Sequence, residues 1–308
     1  MIYLHHYPAS LFSEKVRLML GYLDLTWHSV EIPAIMPRPL LMPLSGGYRR
    51  TPVLQIGANV YCDTQIICKG LARLSGNTTL YAPGIAAQRM ADWVDTTLFR
   101  TSVALNFRPE ALMVMMSQFS EEEAAAFAKD RAELAPDTPL AAIPAEAAQA
   151  TMDQVLTEME ASLGSDFIFA DAPSIADFSL YHVLWFLKNN PVNAGVCDPY
   201  PKVSAWYARM AAFGHGNVSE STGEAAQESA RDHEPELPAL TPALGAADGL
   251  PALASPVTVT PTDYGCIPVA GLLRGISADE IVIERETPES GVIYNHFPQS
   301  GFVLATDG

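Results

Sequence analysis

From Gly84 to about Phe213 no run of residues alternates as a strand does, and that stretch limits the fold more than any other feature of the chain. Apolar residues recur there at helical spacing over Ala86 to Phe107, Pro109 to Phe119, Ser120 to Leu134, Pro144 to Leu163, Ser174 to Asn189 and Pro201 to Ala212, which predicts an all-helical domain. Its clearest start signal is Ser174-Ile175-Ala176-Asp177 ahead of the apolar run Phe178 to Leu187, a capping box in which each side chain satisfies the other's backbone donor. The 308 residues, 49% of them apolar and 17% charged, suffice for about two domains with a sizeable core. We divide them into an α/β domain over residues 1–82, the helical domain over 84–234, a Pro/Ala/Leu-rich linker over 235–256 and a small antiparallel β module over 257–308.

The first segment alternates between the two kinds of periodicity. A strand-like run, Met1 to Leu4, leads through a turn into an amphipathic helix whose Val16, Met19, Leu20 and Leu23 share a face. Ser10 and Ser13 in that turn are good N-cap residues, and a helix start aims free N–H groups and the positive end of its dipole at an anion. Thr26 to Ile32 reads as a strand, and the four prolines of Pro33 to Pro43 predict a loop. Thr51 to Ile56 and Val60-Tyr61 flank the turn Gly57-Ala58-Asn59 as a hairpin, after which Asp63 or Thr64 caps a helix to about Ser75. Beyond a weakly helical stretch within Ser219 to Glu234, the strand-like runs begin at Val257, Glu280, Gly291 and Gly301.

The formal net charge of −17 argues against nucleic acid or an anionic membrane as a partner. Residues 1–83 nevertheless carry +3 and the remainder −20, so a small acidic ligand meets a favourable field only in the N-terminal portion. Cys62, Cys68, Cys197 and Cys266 form no CxxC pair and no metal-ligand spacing. With no signal peptide and no apolar run of membrane-spanning length, we expect a reduced, cytoplasmic setting and no bound metal. His5 and His6, adjacent on one strand, point to opposite faces and do not make a paired metal site.

Three segments carry a resemblance to a known family. Ser10-Leu11-Phe12-Ser13-Glu14-Lys15-Val16-Arg17 is similar to the active-site turn of serine-type glutathione S-transferases, although Leu11 stands where the closest classes have proline. Arg50-Thr51-Pro52-Val53-Leu54 resembles the family's basic-x-Pro-x-Leu segment with its cis-proline, and Asp63-Thr64 its acidic-Ser pair at a helix start. The Ser174/Asp177 box resembles that of the family's second domain, so the likeness spans residues 1 to 213. It implies an α/β thioredoxin-like N-terminal domain followed by an all-α domain, to which this chain adds a small, mainly β C-terminal extension. It further implies a cytoplasmic homodimer using glutathione as co-substrate, with no permanently bound cofactor, and a hydrophobic electrophile as second substrate.

Carried over residue by residue, the resemblance makes Ser10 the hydroxyl that donates to the glutathione sulfur and holds it as thiolate, the nucleophilic form. Thr51 and the cis-Pro52 would present backbone groups to the cysteinyl part, Asp63 and Thr64 would take the γ-glutamyl end, and Arg50 would meet the glycine carboxylate. A plain helix cap is the alternative reading of Ser10, and Ser13 is a possible secondary site residue that reads first as structural. Tyr7 is a secondary candidate beside packing at a strand end, and Tyr7, Phe107 and Met113 could line an electrophile pocket. Serines occupy both positions where a disulfide-exchange relative carries cysteines, which disfavours that chemistry. Two rivals remain: a non-catalytic glutathione- or ligand-binding protein on the same fold, and a glutathione-dependent isomerase or dehalogenase.

Overall fold

A computed structural model describes residues 1–137, 139, 141–238 and 250–306 of the chain. In order, the elements are β1 (Ile2–His6), α1 (Leu11–Tyr22), β2 (Thr26–Glu31), the short α2 (Met42–Ser45), β3 (Val53–Ile56), β4 (Asn59–Cys62) and α3 (Thr64–Ser75). Next come α4 (Ile85–Trp93), a π-helical turn over Val94–Leu98, α5 (Phe99–Asn106), α6 (Pro109–Met116), α7 (Glu121–Leu134), α8 (Ala145–Ser162), α9 (Ile175–Lys188) and α10 (Pro201–Ala211). The last stretch holds β5 (Asn217–Ser221), α11 (Gly223–Arg231), β6 (Pro256–Pro261), β7 (Val269–Ile276), β8 (Glu280–Thr287), β9 (Gly291–Pro298) and β10 (Phe302–Thr306). The chain divides into two compact units, one of residues 1–16, 25–71 and 217 onward, the other of residues 17–24 and 72–216.

The first unit is built on a sheet of ten strands in the order β10-β6-β7-β8-β9-β4-β3-β1-β2-β5. β1 runs parallel to β2 and antiparallel to β3, and β3 and β4 form the expected hairpin. All five residues of β1 are buried, as a strand covered on both faces requires. The C-terminal strands continue this sheet through β9, which pairs in parallel with β4 (Asn59↔Tyr294, Tyr61↔His296), and β5 adds to β2 at the other end (Thr26↔Asn217). One core results: Tyr3, Val30, Val53 and Val60 pack with Val257, Val269, Ile281, Ile293 and Phe297. Where the sequence predicts a module over 257–308 apart from residues 1–82, β6 to β10 share the sheet and core of the N-terminal strands. The period-two pattern locates a strand but says nothing of the edge it joins. Of the expected linker over 235–256, residues 239–249 lie outside the described residues, as do 307–308 of the expected module.

Two buried polar groups stitch the unit together. Glu280 at the start of β8 takes the Nδ1 proton of His296 on β9 at 2.7 Å, both residues fully buried, while Tyr61 of β4 stacks on the imidazole with centroids 4.3 Å apart. Asn59, with its amide nitrogen turned toward the ring, donates to His296 Nε2 at 3.0 Å and to the Glu236 carbonyl at 2.9 Å. On β1, His5 Nε2 donates to Gln55 Oε1 at 3.2 Å, and the Gln55 amide donates in turn to the carbonyls of Gly57 and Ala226.

Burial lowers the pKa of His5 to about 4, against a hydrogen bond to Gln55 that favours the charged ring. An unfolded chain binds this proton near pH 6.5 and the folded one near 4, so folding excludes it across that window and stability must rise with pH there. Between pH 7 and pH 5 this one group should cost about 2 kcal/mol. Urea unfolding of the natural protein and of His5→Gln at both pH values should show the variant losing less stability by that amount; equal losses would refute the assignment.

The described residues of the second unit form helices and turns, as the spacing predicts, but the helical domain expected over 84–234 ends earlier: β5 and α11 belong to the first unit, where β5 pairs with β2. The centre of the second unit is α9, where Ile175 to Leu184 are all buried. The Ser174/Asp177 box forms: Ser174 N and Oγ both donate to Asp177 Oδ2 at 2.8 Å. Asp177 Oδ1 also accepts from Ile168 N and Trp206 Nε1, both at 2.9 Å, so this carboxylate organises the start of α9 and its surroundings. The C-terminal half of α1 belongs here, with Gly21 pressed against the turn at Phe213-Gly214. Met113 on α6 is largely exposed.

Candidate functional site

The register of three neighbouring strands gathers the candidate residues at one end of the sheet. His5 at the end of β1 lies opposite Val53 at the start of β3, which lies opposite Cys62 at the end of β4. The chain just beyond each of these points carries Ser10, Thr51-Pro52 and Asp63-Thr64, so local signals far apart in sequence converge through strand pairing.

The turn after β1 is tight. Ser10 N donates to the Tyr7 carbonyl at 3.1 Å, and the Ser10 carbonyl opens α1 by accepting from Glu14 N at 3.0 Å. Ser10 Oγ accepts from Ser13 N at 3.2 Å, the geometry of an N-cap, and the residue is buried. An oxygen accepting at a cap still has its own proton to donate. Ser13 is fully buried, and its Oγ has no partner among the described residues.

The second segment is held by a residue the sequence left unassigned. Arg38, buried within the proline-rich loop, donates to the carbonyls of Pro33, Ala34 and Arg49 at 2.8 to 2.9 Å and to Thr51 Oγ1 at 2.9 Å. One guanidinium thus ties that loop to Thr51, whose bond to Pro52 is cis as the resemblance implies. The signal was a single arginine among four prolines, too general to assign.

Asp63 has φ of 95°, an unfavourable backbone for a residue with a Cβ, and caps α3 by accepting from Gln65 N at 2.9 Å. Its Oδ2 takes the hydroxyl of buried Tyr48 at 3.3 Å and the Arg50 guanidinium at 3.4 Å. Thr64 beside it is buried. Arg50 also meets the extension: Nε donates to the Tyr264 carbonyl at 3.0 Å, while Nη2 contacts that carbonyl and the Asp263 carboxylate. The Tyr264 ring lies over the guanidinium, 4.0 Å from its carbon, and Phe302 stands at 5.9 Å.

Electrostatics match this crowding. Burial works against the Arg50 charge, but Tyr264, Tyr48, Asp63 and Asp263 outweigh it and raise the pKa further above its ordinary value. Burial, opposed by Arg50 and assisted by Asp263, Asp63 and Tyr7, pushes the Tyr264 phenol up to about 12. Tyr48 is raised well above its ordinary value, first by burial and then by Asp63. Tyr7 is half-buried, packed against the core of the first unit. Burial likewise drives the Cys62 thiol far up, which removes it as a nucleophile. Sequence reasoning missed Asp263 and Tyr264 because they lie in the tail, where the only cue was a turn-forming Pro261-Thr262-Asp263-Tyr264-Gly265. Among the described residues no His, Cys, Asp and Glu cluster could hold a metal ion, and no helix is long and apolar enough to cross a membrane.

Comparison with known proteins gives the wider setting. Residues 4–79 match the family described as glutathione S-transferase, N-terminal domain, and residues 125–209 match glutathione S-transferase, C-terminal domain. The crystal structure of a GST-like protein from Pseudomonas syringae is 37% identical, covers 99% of this chain and 100% of its own, and superposes with a TM-score of 0.81. That relative therefore extends over the C-terminal strands. A glutathione S-transferase from Rhodospirillum rubrum F11 (16% identity, 68% of this chain, 88% of that one, TM-score 0.52) shares the fold. So does a Tau class enzyme from mango, Mangifera indica (16%, 68%, 88%, 0.50). No curated protein matches the chain.

Proposed function

Because the chain belongs to the glutathione S-transferase family, we propose that it binds glutathione at the sheet end carrying Ser10, Thr51-Pro52 and Asp63-Thr64 and activates the thiol for attack on a hydrophobic electrophile. The observation that carries this reading is the Ser10 hydroxyl, fixed at the first turn of α1 by its bond from Ser13 N. From there a hydroxyl proton and the helix N-terminus both favour a sulfur anion, which lowers the thiol pKa and raises the thiolate fraction at neutral pH. The N–H and C=O of Thr51, a residue whose side-chain hydroxyl accepts from Arg38, would pair with the cysteinyl backbone. Asp63 and the start of α3 would take the γ-glutamyl ammonium and carboxylate, and Arg50 would stand at the glycine end, as the family resemblance implies. Binding supplies proximity, and the anion-stabilising groups supply the remaining rate. Isomerisation or reductive dehalogenation would draw on the same thiolate. A homodimer in the cytoplasm comes with this reading from the family.

The test is conjugation of a generic aryl halide, with retention on immobilised glutathione, for the natural protein and Ser10→Ala. Retention should survive in the variant while turnover falls tenfold or more, about 1.4 kcal/mol in the barrier. Full turnover in the variant would leave Ser10 a helix cap alone and move the thiol contact to Tyr7 or backbone donors. Absence of both retention and turnover in the natural protein would defeat the reading.

A further inference from the structure

The extension does more than widen the sheet, because the turn between β6 and β7 delivers two side chains to Arg50. That turn is fixed rather than draped: Thr262 N and Oγ1 both donate to the Gly301 carbonyl, at 3.0 and 3.1 Å, and Ile267 N donates to the Gly265 carbonyl at 2.8 Å. Asp263 is held on the Nη2 side of the guanidinium while keeping its carboxylate about one third exposed.

A carboxylate ligand is best received by two parallel N–H groups on one edge of a guanidinium. The Nε/Nη2 edge of Arg50 already meets the Tyr264 carbonyl and Asp263, Nη1 reaches Asp63, and one face lies under the Tyr264 ring. Charge tells the same story. One guanidinium stands between two carboxylates, so the group has a net charge of −1, and a ligand carboxylate arriving there would be a third negative charge. Of the other cations, Arg38 is directed to three loop carbonyls and Thr51 Oγ1, and Arg285 donates to the Pro43 carbonyl.

We propose that Asp263 and Tyr264 set the specificity of this site toward thiol ligands of the glutathione type whose carboxyl end is capped, as a neutral ester or amide or as a cationic amine conjugate, in preference to glutathione with its free glycine carboxylate. This rests on the reading of the site as a glutathione site and narrows it. An uncharged end avoids the like-charge contact, packs its alkyl part against the Tyr264 and Phe302 rings, and leaves the Arg50 contacts intact; a cationic end gains the Asp263 carboxylate as well.

The experiment measures binding of glutathione and of its glycine monoethyl ester to the full chain by calorimetry, for the natural protein and Asp263→Asn. Asparagine keeps an oxygen for Arg50, and matching melting temperatures would verify that the variant folds. The natural protein should bind the ester about fivefold or more tightly than glutathione, with the preference shrinking at 0.5 M salt as about a 4 Å Debye length screens the exposed carboxylate. In Asp263→Asn the ratio should approach one, through a gain for glutathione and little change for the ester. Equal or tighter binding of glutathione by the natural protein overturns the proposal, as does a variant in which both ligands gain alike, which would make Asp263 a mere obstruction. If neither thiol binds, the glutathione site itself is refuted and this inference with it.

Discussion

Gly21→Ala is expected to destabilise the protein by roughly 3 kcal/mol, although alanine is the better helix former. Gly21 sits in α1, where that exchange alone would gain about 1 kcal/mol. The added Cβ would lie 2.2 Å from the Gly214 carbonyl oxygen and 2.7 Å from both the Gly214 carbonyl carbon and the Phe213 oxygen. All three are backbone atoms, which cannot rotate away as a side chain can. Gly214 itself has φ of +59°, so the turn has few other conformations to take. Relief requires the helix and the turn to part by more than an ångström, disturbing Tyr22 where it packs against Phe178 and Phe213. Overpacking commonly costs 1–3 kcal/mol, and a backbone obstacle belongs at the upper end. Thermal melting reads this as a midpoint several degrees lower. A midpoint equal to or above that of the natural protein would mean the turn yields freely.

Glu280→Ala should cost a similar amount, about 3 kcal/mol, for an unrelated reason. The substitution removes the carboxylate that accepts from His296 Nδ1 in a site where both residues are fully buried, and it leaves a small void. The consequences spread, because His296 is stacked on Tyr61 and accepts from Asn59, which holds the backbone at Glu236. Glu280→Gln keeps an oxygen facing His296 Nδ1 and should recover most of the loss. Urea midpoints for the pair separate the hydrogen bond from the volume: if both variants fell equally, the negative charge and not the acceptor would be what matters, and if neither fell, the cluster would be energetically idle.

The candidate site was legible where its chemistry is local. Ser10, Thr51-Pro52 and Asp63-Thr64 each sit at a junction announced by a cap residue or a proline, and strand pairing then brings those junctions to one end of the sheet. Ser10 as an N-cap was readable; whether it also serves a thiol is a question of ligand geometry. Asp263 and Tyr264 were not legible, because no local pattern says that a turn more than 200 residues away closes on Arg50. The strands show the same limit. β5 is polar and largely exposed, so Asn217–Ser221 gives no alternation to read. β7 is interrupted by Gly271, Arg274 and Gly275, with a register shift between Leu273 and Gly275. The short α2 hides in a proline-rich segment that reads as loop. Long helices such as α8 and α9 carry several periods of their pattern and left little room for error.

The pairing of β4 with β9 also sets a timetable for synthesis. The N-terminal hairpin is complete at Cys62, yet the strand that covers its outer side begins only at Gly291. At about 5–20 residues per second, β4 waits roughly 10 to 50 s on the ribosome with a row of open N–H and C=O groups. β2 waits likewise for Asn217. Unlike a domain that folds as it emerges, this one is born with two sticky borders, and a chain cut short before Gly291 keeps at least one of them for good.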